Sequence, residues 1–223
     1  MEAGLIQERD PFHRALEALR GRVREGDFVQ GEALTITDIA RELRLSPTPV
    51  REALSRLAGE GLIEDRRGRG YFGWRFDPLD LVELYDLNQL HVGAALGVME
   101  AATDIDAGPL VAREVAALLE AAPSAEGVAI GAEALFARIV RVGGGRALSA
   151  CQSNLSDRLG PARKVEALVL AGADTELLAL CERYDGRAWG ALSEAVELYH
   201  MRRRAASGEI VAAARRRHGG AGW

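Results

Sequence analysis

The chain has 223 residues, 48% of them hydrophobic, and a formal net charge of −5: enough apolar side chain for two modest cores, and too little positive charge for a general polyanion binder. Its two cysteines, Cys151 and Cys181, lie far apart and outside any CxxC or Cys-His spacing, which excludes a disulfide framework or a zinc finger and points to a reducing cytoplasm. No apolar run reaches membrane-spanning length, and residues 1–10 lack the basic start and apolar core of a signal peptide.

Asp10-Pro11 pairs an N-cap with a first-turn proline and opens a helix through Leu16, Leu19 and Val23 that stops near Gly26. After a link over residues 27–33, residues 34–44 read as a second short helix with Ile36, Ile39, Ala40 and Leu43 inward. The next begins at Ser46, a good N-cap, with Pro47 at the first helical position, where a proline costs nothing. Val50, Leu54, Leu57 and Ala58 give it an apolar face, Thr48, Arg51 and Arg56 fall elsewhere, and Gly61 ends it. Two short helices with a tight turn predict a helix-turn-helix whose second helix presents its first turn to a phosphate-lined surface. Residues 62–76 then read as two short strands around a basic loop of Arg66, Arg67, Gly68, Arg69 and Gly70: a wing.

The order Ile39-Ala40, Leu45-Ser46-Pro47-Thr48-Pro49-Val50-Arg51-Glu52-Ala53-Leu54, Arg56-Leu57, Glu60-Gly61-Leu62-Ile63 and Arg69-Gly70 resembles the winged helix of GntR-type bacterial regulators. That resemblance implies operator DNA as a partner, contacted by Thr37, Arg44, Ser46, Thr48, Pro49, Arg51 and Arg56 and, from the wing, by Arg67, Gly68 and Arg69. Arg51, one turn into the helix that enters the major groove, suits a guanine edge or a phosphate, and the hydroxyls of Ser46 and Thr48 suit phosphates. The family's usual DNA-contacting arginine after the serine is replaced by Pro47. Charge follows the same division: residues 35–75 carry eight arginines against six acids, residues 77–200 nine bases against nineteen acids, and residues 201–223 six against one. A small basic reader joined to an acidic body touches nucleic acid locally and is repelled elsewhere.

Asp77-Pro78 repeats the capping chemistry, which divides the chain into domains at 1–76 and 77–223. A long helix over 79–102 carries Leu81, Leu84, Leu87, Leu90, Ala94, Val98 and Ala101 as one apolar face. Further helices are predicted at 109–121, 125–142, 147–159, 175–184 and 187–206, with Gly143-Gly-Gly145 and Ala171-Gly-Ala173 as breaks and a basic, solvated and frayed tail at the end. Nothing after residue 77 alternates at period two, so the fold class is mainly α: a winged helix-turn-helix followed by an all-helical bundle.

This second part resembles the helical FCD effector domain of the FadR-like branch of the GntR family. In many such domains an Asp and a His at (i, i+4) join two further histidines to hold a metal that helps bind a small organic acid. Here the local match is Glu133-Ala-Leu-Phe136-Ala137, Asp174 falls near the first later histidine, Val196 stands at the second, and Asn88 and Val92 replace an Arg and a Glu on the first helix. With Ala137 and Val196 lacking donor atoms, no metal cofactor is expected; His200, one turn beyond Val196, leaves a displaced site of Glu133, Asp174 and His200 as an alternative. The candidate effector residues are thus Asn88, His91, Glu133, Asp174 and His200. The plainer reading of these is structural: His91 as a core or interface histidine, Glu197 and His200 as solvated helix residues.

The sequence therefore predicts a cytoplasmic, homodimeric transcription regulator with no catalytic residues, whose operator affinity changes when a small molecule, a carboxylate by the resemblance, binds the bundle. Two alternatives stay open: a regulator whose degenerate bundle senses no ligand, and a di-metal carboxylate-bundle enzyme. The enzyme needs two Glu-x-x-His motifs, and the chain offers only Glu197-Leu-Tyr-His200.

Overall fold

The computed structural model describes residues 10–102, 104–108, 110–121 and 124–219. The predicted helix start at Pro109 and the readings of residues 1–9 and 220–223 lie outside them. The chain forms two compact units that divide between Arg75 and Phe76.

The first unit runs α1 (Pro11–Glu25), β1 (Ala33–Leu34), α2 (Ile36–Leu43), α3 (Pro47–Gly59), β2 (Ile63–Arg66) and β3 (Gly70–Gly73). Its sheet has the order β1-β3-β2, antiparallel throughout, with Leu34 opposite Tyr71 and Asp65 opposite Tyr71 from the other side. The sequence predicted two strands; β1 is two residues long, too short to show a period, and it delays the start of α2 to Ile36. The core joins Ala15, Leu19 and Val23 of α1, Ile39 and Ala40 of α2, and Val50, Ala53, Leu54 and Leu57 of α3. α3 stops at Gly59; Gly61 then takes a left-handed φ of 72° and lets the Leu62 N–H reach Leu57 O at 3.0 Å.

The second unit is helical in all its described elements: α4 (Pro78–Ala101), α5 (Val111–Ala121), α6 (Ala125–Gly143), α7 (Gly145–Val169), α8 (Ala173–Asp185), α9 (Trp189–Ala205) and α10 (Ser207–Gly219). Asp77 and Asp80 close a reciprocal capping box at the start of α4. The carboxylate of Asp185, at the far end of α8, accepts the Val111 and Ala112 N–H groups at 2.8 Å each and so caps α5 from a distance. α4 packs against α6, α7, α9 and α10, and α6 against α7. No described helix is long and apolar enough to cross a membrane.

Three expectations are corrected here. α4 buries Leu81, Leu84, Tyr85, Asn88, Val92, Ala95, Leu96 and Met99, while Leu87, Leu90 and Val98 of the predicted stripe lie outside. The helix is apolar on most sides, so a stripe traced through leucines drifts outward after Leu84 and skips the polar Asn88 at the centre of the true one. α7 continues ten residues past the predicted stop at Leu159, through Gly160-Pro161, because Leu159, Ala162 and Val165 on both sides of the proline are buried by neighbouring helices. Residues 207–219, expected as part of a frayed tail, form α10, which buries Ile210, Val211 and Ala214.

Candidate nucleic-acid interface and polar bundle interior

In the first unit the turn between α2 and α3 is built on Arg44. Its φ of 54° and ψ of 46° place it in the left-handed region, where Leu45 N–H closes on Ala40 O at 2.9 Å. A side chain there costs roughly 1–2 kcal/mol against glycine, so an exposed arginine at this position is retained against the local backbone preference. Ser46 occupies the N-cap of α3, yet its hydroxyl makes no capping bond. Pro49 at the third helical position has no N–H, which removes one of the two donors that an N-cap side chain can use. The Ser46 hydroxyl is left facing solvent beside Thr48 and Arg51, all exposed.

Thr37, Arg44, Ser46, Thr48 and Arg51 are all exposed on α2, α3 and the turn joining them. Two predicted contacts separate from this set. Pro49 is buried, since it falls with Val50, Ala53, Leu54 and Leu57 on the side of α3 that meets the core in each turn. Arg56 is exposed but lies about 12 Å down the helix from Thr48 at 1.5 Å per residue, and its Nε is bonded at 2.7 Å to Glu60, which also takes Arg20 of α1 at 2.6 Å. It braces α1 against α3. At the wing, the Arg66 guanidinium sits over Phe72, its Cζ 4.1 Å from the ring centre, and donates twice to Glu64. Arg67, Gly68 and Arg69 form the exposed tip, where Gly68 has a φ of 73°.

Inside the second unit, polar side chains are joined end to end. His91 Nδ1 donates to Gln152 Oε1 at 3.1 Å, Gln152 Nε2 to Asn88 Oδ1 at 2.7 Å, Asn88 Nδ2 to His200 Nε2 at 2.8 Å, and His200 Nδ1 to the Val196 carbonyl at 2.7 Å. The backbone carbonyl can only accept, which fixes the His200 tautomer and with it the direction of every bond back to His91. Burial, reinforced by Arg163 and Arg203, pushes the His200 imidazole down to about 3. It is neutral at physiological pH.

Beside this chain lies a buried ion cluster. Arg203 Nε donates at 2.7 Å to Glu166, whose oxygens also accept the Tyr85 hydroxyl and, at 3.2 Å, the Tyr199 hydroxyl. Arg203 Nη1 reaches Glu176 at 2.7 Å, and its guanidinium covers the Tyr199 ring at 3.2 Å. Burial alone would raise the Glu166 carboxyl, but Arg203, the Tyr85 hydroxyl and Arg163 outweigh it and hold the group below its ordinary value. Burial drives the Tyr85 and Tyr199 hydroxyls up, so both are protonated donors.

Of the predicted effector residues the fold thus joins Asn88, His91 and His200. Asp174 does not join them: it is exposed at the start of α8, on a groove lined by Leu119, Ala125, Val128, Ala167 and Leu170. Glu133 is half-buried on α6. His200, read as solvated, is wholly buried, whereas Glu197 is exposed, so the two do not share an interior face. Among the described residues no three His, Cys, Asp or Glu side chains converge as a metal would require. The residues do not fit the metal of the resembled domain: both nitrogens of His200 are engaged, two guanidinium groups stand beside it, and Ala137 and Val196 carry no donor. Gln152, Arg163, Glu166 and Arg203 were not singled out from sequence. Their signal was spacing: residues 159, 162, 163 and 166 of α7 and 196, 199, 200 and 203 of α9 fall on one buried face each.

Residues 12–72 match the model of the bacterial regulatory proteins of the gntR family. An uncharacterized HTH-type transcriptional regulator in the TAR-I ttuE-ttuC' intergenic region of Agrobacterium vitis is 35% identical over 107 residues, 48% of this chain and 60% of that protein. The Nta operon transcriptional regulator of Aminobacter aminovorans is 37% identical over 60 residues, 27% of this chain and 29% of its own. The chain therefore spans less than two thirds of these relatives' length. Over the whole chain the fold is similar to that of a GntR transcriptional regulator from Rhodococcus sp. RHA1, with a TM-score of 0.72 at 18% identity over 91% of this chain and 98% of that one. It is likewise similar to that of E. coli McbR/YncC, with a TM-score of 0.68 at 17% identity over 90% and 98%. The winged helix-turn-helix unit is thus similar, over residues 12–72, to the DNA-binding part of gntR-family bacterial regulators.

Proposed function

We propose that the chain is a cytoplasmic homodimer that binds a two-fold related operator through the exposed first turn of α3, the α2–α3 turn and the wing tip, and that its helical unit senses a small carboxylate without a resident metal. The observation that carries the DNA reading is the set Arg44, Ser46, Thr48 and Arg51: all four are exposed on α3 and the turn before it. One recognition helix reads too few base pairs for useful specificity, and paired half-sites repair that. The dimer reading rests on the outer face of α4, where Leu87, Leu90 and Val98 are exposed, with Leu90 at 67%. Beside them a groove of about 450 Å³ runs between α4 and α7, lined by Leu87, His91, Ala150, Cys151, Asn154 and Arg158. The similarity to FCD domains supports the sensor role, and the donor chemistry of the bundle supports its independence from metal.

Selection of bound genomic fragments followed by footprinting tests this reading. Protection of two half-sites about one helical turn apart, unchanged by chelation, is the expected result. Protection of a single half-site by a protein that light scattering finds monomeric at micromolar concentration would reject it. Leu90→Glu is expected to yield monomers with weakened operator binding and an intact fold.

A further inference from the structure

Arg163 of α7 is only 2% exposed, and its Nε and Nη2 have no hydrogen-bond partner among the described residues. Its Nη1 donates to Ser156 Oγ at 3.4 Å. Nη1 is thus engaged on one side, while Nε and Nη2 form the opposite edge of the guanidinium, whose parallel N–H groups match the two oxygens of a carboxylate. Attraction to Glu166 offsets part of the cost of burying this charge, but the two N–H groups of the open fork are left without an acceptor. The neighbouring carboxylate does not answer it: Glu166 is occupied by Tyr85, Tyr199 and Arg203. The imidazole of His200 is uncharged, and the Phe136 ring lies 5.7 Å from the Arg163 Cζ.

We infer that the Nε/Nη2 edge of Arg163 is a metal-independent anchor for the two-oxygen head of a small anion, a carboxylate, held inside the bundle beside Ser156, Phe136 and His200. The inference rests on reading the helical unit as a sensor, and it gives that sensor a residue on α7 away from the candidate effector positions named from sequence. Binding transfers no proton and forms no covalent bond; the anion supplies the acceptors that the open fork lacks. Inorganic phosphate offers the same two-oxygen geometry with more charge, so it is the competing source of the same chemistry.

The test is calorimetry and thermal unfolding of the full chain with acetate, benzoate and inorganic phosphate, in chelator and at constant ionic strength, against chloride. Saturable binding with a raised unfolding temperature is expected from a carboxylate, at least tenfold weaker in Arg163→Lys, which keeps the charge and loses the fork, and absent in Arg163→Met. Unliganded Arg163→Met is expected to unfold at or above the temperature of the parent, because it removes two buried N–H donors that have no acceptor. No saturable effect from any probe, binding that survives Arg163→Met, or binding by phosphate alone would overturn the inference, as would unfolding of both variants. Operator binding is measured on the same samples, so a failed anchor and a failed DNA reading are told apart.

Discussion

The two units bury different things. In residues 10–75 the buried side chains are apolar and the charge lies outside, whereas the helical unit buries Asn88, Gln152, Ser156, Asp157, Arg163, Lys164, Glu166, His200, Arg203 and Ser207. A reader of DNA needs its polar groups at the surface, where phosphates and base edges are met, and its interior has only to hold two helices at a fixed angle. A polar interior specifies more than packing does: each group must find a partner in the right direction, so few arrangements of the helices satisfy all of them at once.

Deleting an acid in each unit gives the widest separation. Glu166→Ala leaves Arg203 buried without its main partner and is expected to cost about 3–5 kcal/mol in chemical denaturation, whereas Glu60→Ala, which frees the more exposed Arg20 and Arg56, should cost no more than about 1 kcal/mol. Equal losses would erase the contrast.

Acid gives the next effect. The folded His200 holds near 3 against an ordinary 6.5, so below that ordinary value the unfolded chain takes up a proton that the folded chain refuses. Its contribution to stability is complete above pH 6.5 and is lost as the pH falls toward 3, with a slope of about 1.4 kcal/mol per pH unit, or about 2 kcal/mol between pH 6.5 and 5. Glu166, held low, adds a loss of the same sign in still more acid solution. In His200→Gln, which keeps an acceptor for Asn88, the slope over that window should flatten by one proton.

In the reading unit, function and stability should come apart. Arg51→Ala is expected to leave the unfolding free energy within about 0.5 kcal/mol while weakening specific operator binding by about 1–3 kcal/mol, with relaxed preference at one position. Equal weakening on random DNA with a shallower salt slope would mark a phosphate contact instead. Smallest of all, Arg44→Gly relieves the left-handed backbone and should stabilise the unit by about 1 kcal/mol while loosening DNA binding; a gain in stability with unchanged affinity would leave Arg44 without a role at the interface.

How far each unit was legible in the sequence follows from the same contrast. The capping prolines, the apolar positions of α3 and the basic wing tip are local signals, and they placed most of the winged helix; β1 escaped because two residues show no period. Pro49 and Arg56 were misassigned because a linear motif does not say which side of a turn a residue occupies, and the core takes Pro49 while Glu60 takes Arg56. In the bundle the helices were readable but the interior was not. A stripe is sought among leucines, and here Asn88, Glu166, His200 and Arg203 hold inward positions that partners more than thirty residues away in sequence make tolerable.

The row of bonds from His91 to Val196 has a further consequence. Because it ends on a peptide carbonyl, its polarity is dictated by the backbone of α9 and transmitted through two amides to the imidazole at the α4–α7 groove. No member can turn over alone; the row holds a single orientation as one object. Replacing Asn88 by Asp would exchange one NH2 for an oxygen, set lone pair against lone pair at His200 Nε2, and leave a proton on that nitrogen as the local remedy. A change of one atom on α4 would thereby write a carboxylate–imidazolium pair into the heart of the bundle, next to two guanidinium groups, and give a silent core histidine a proton to hold.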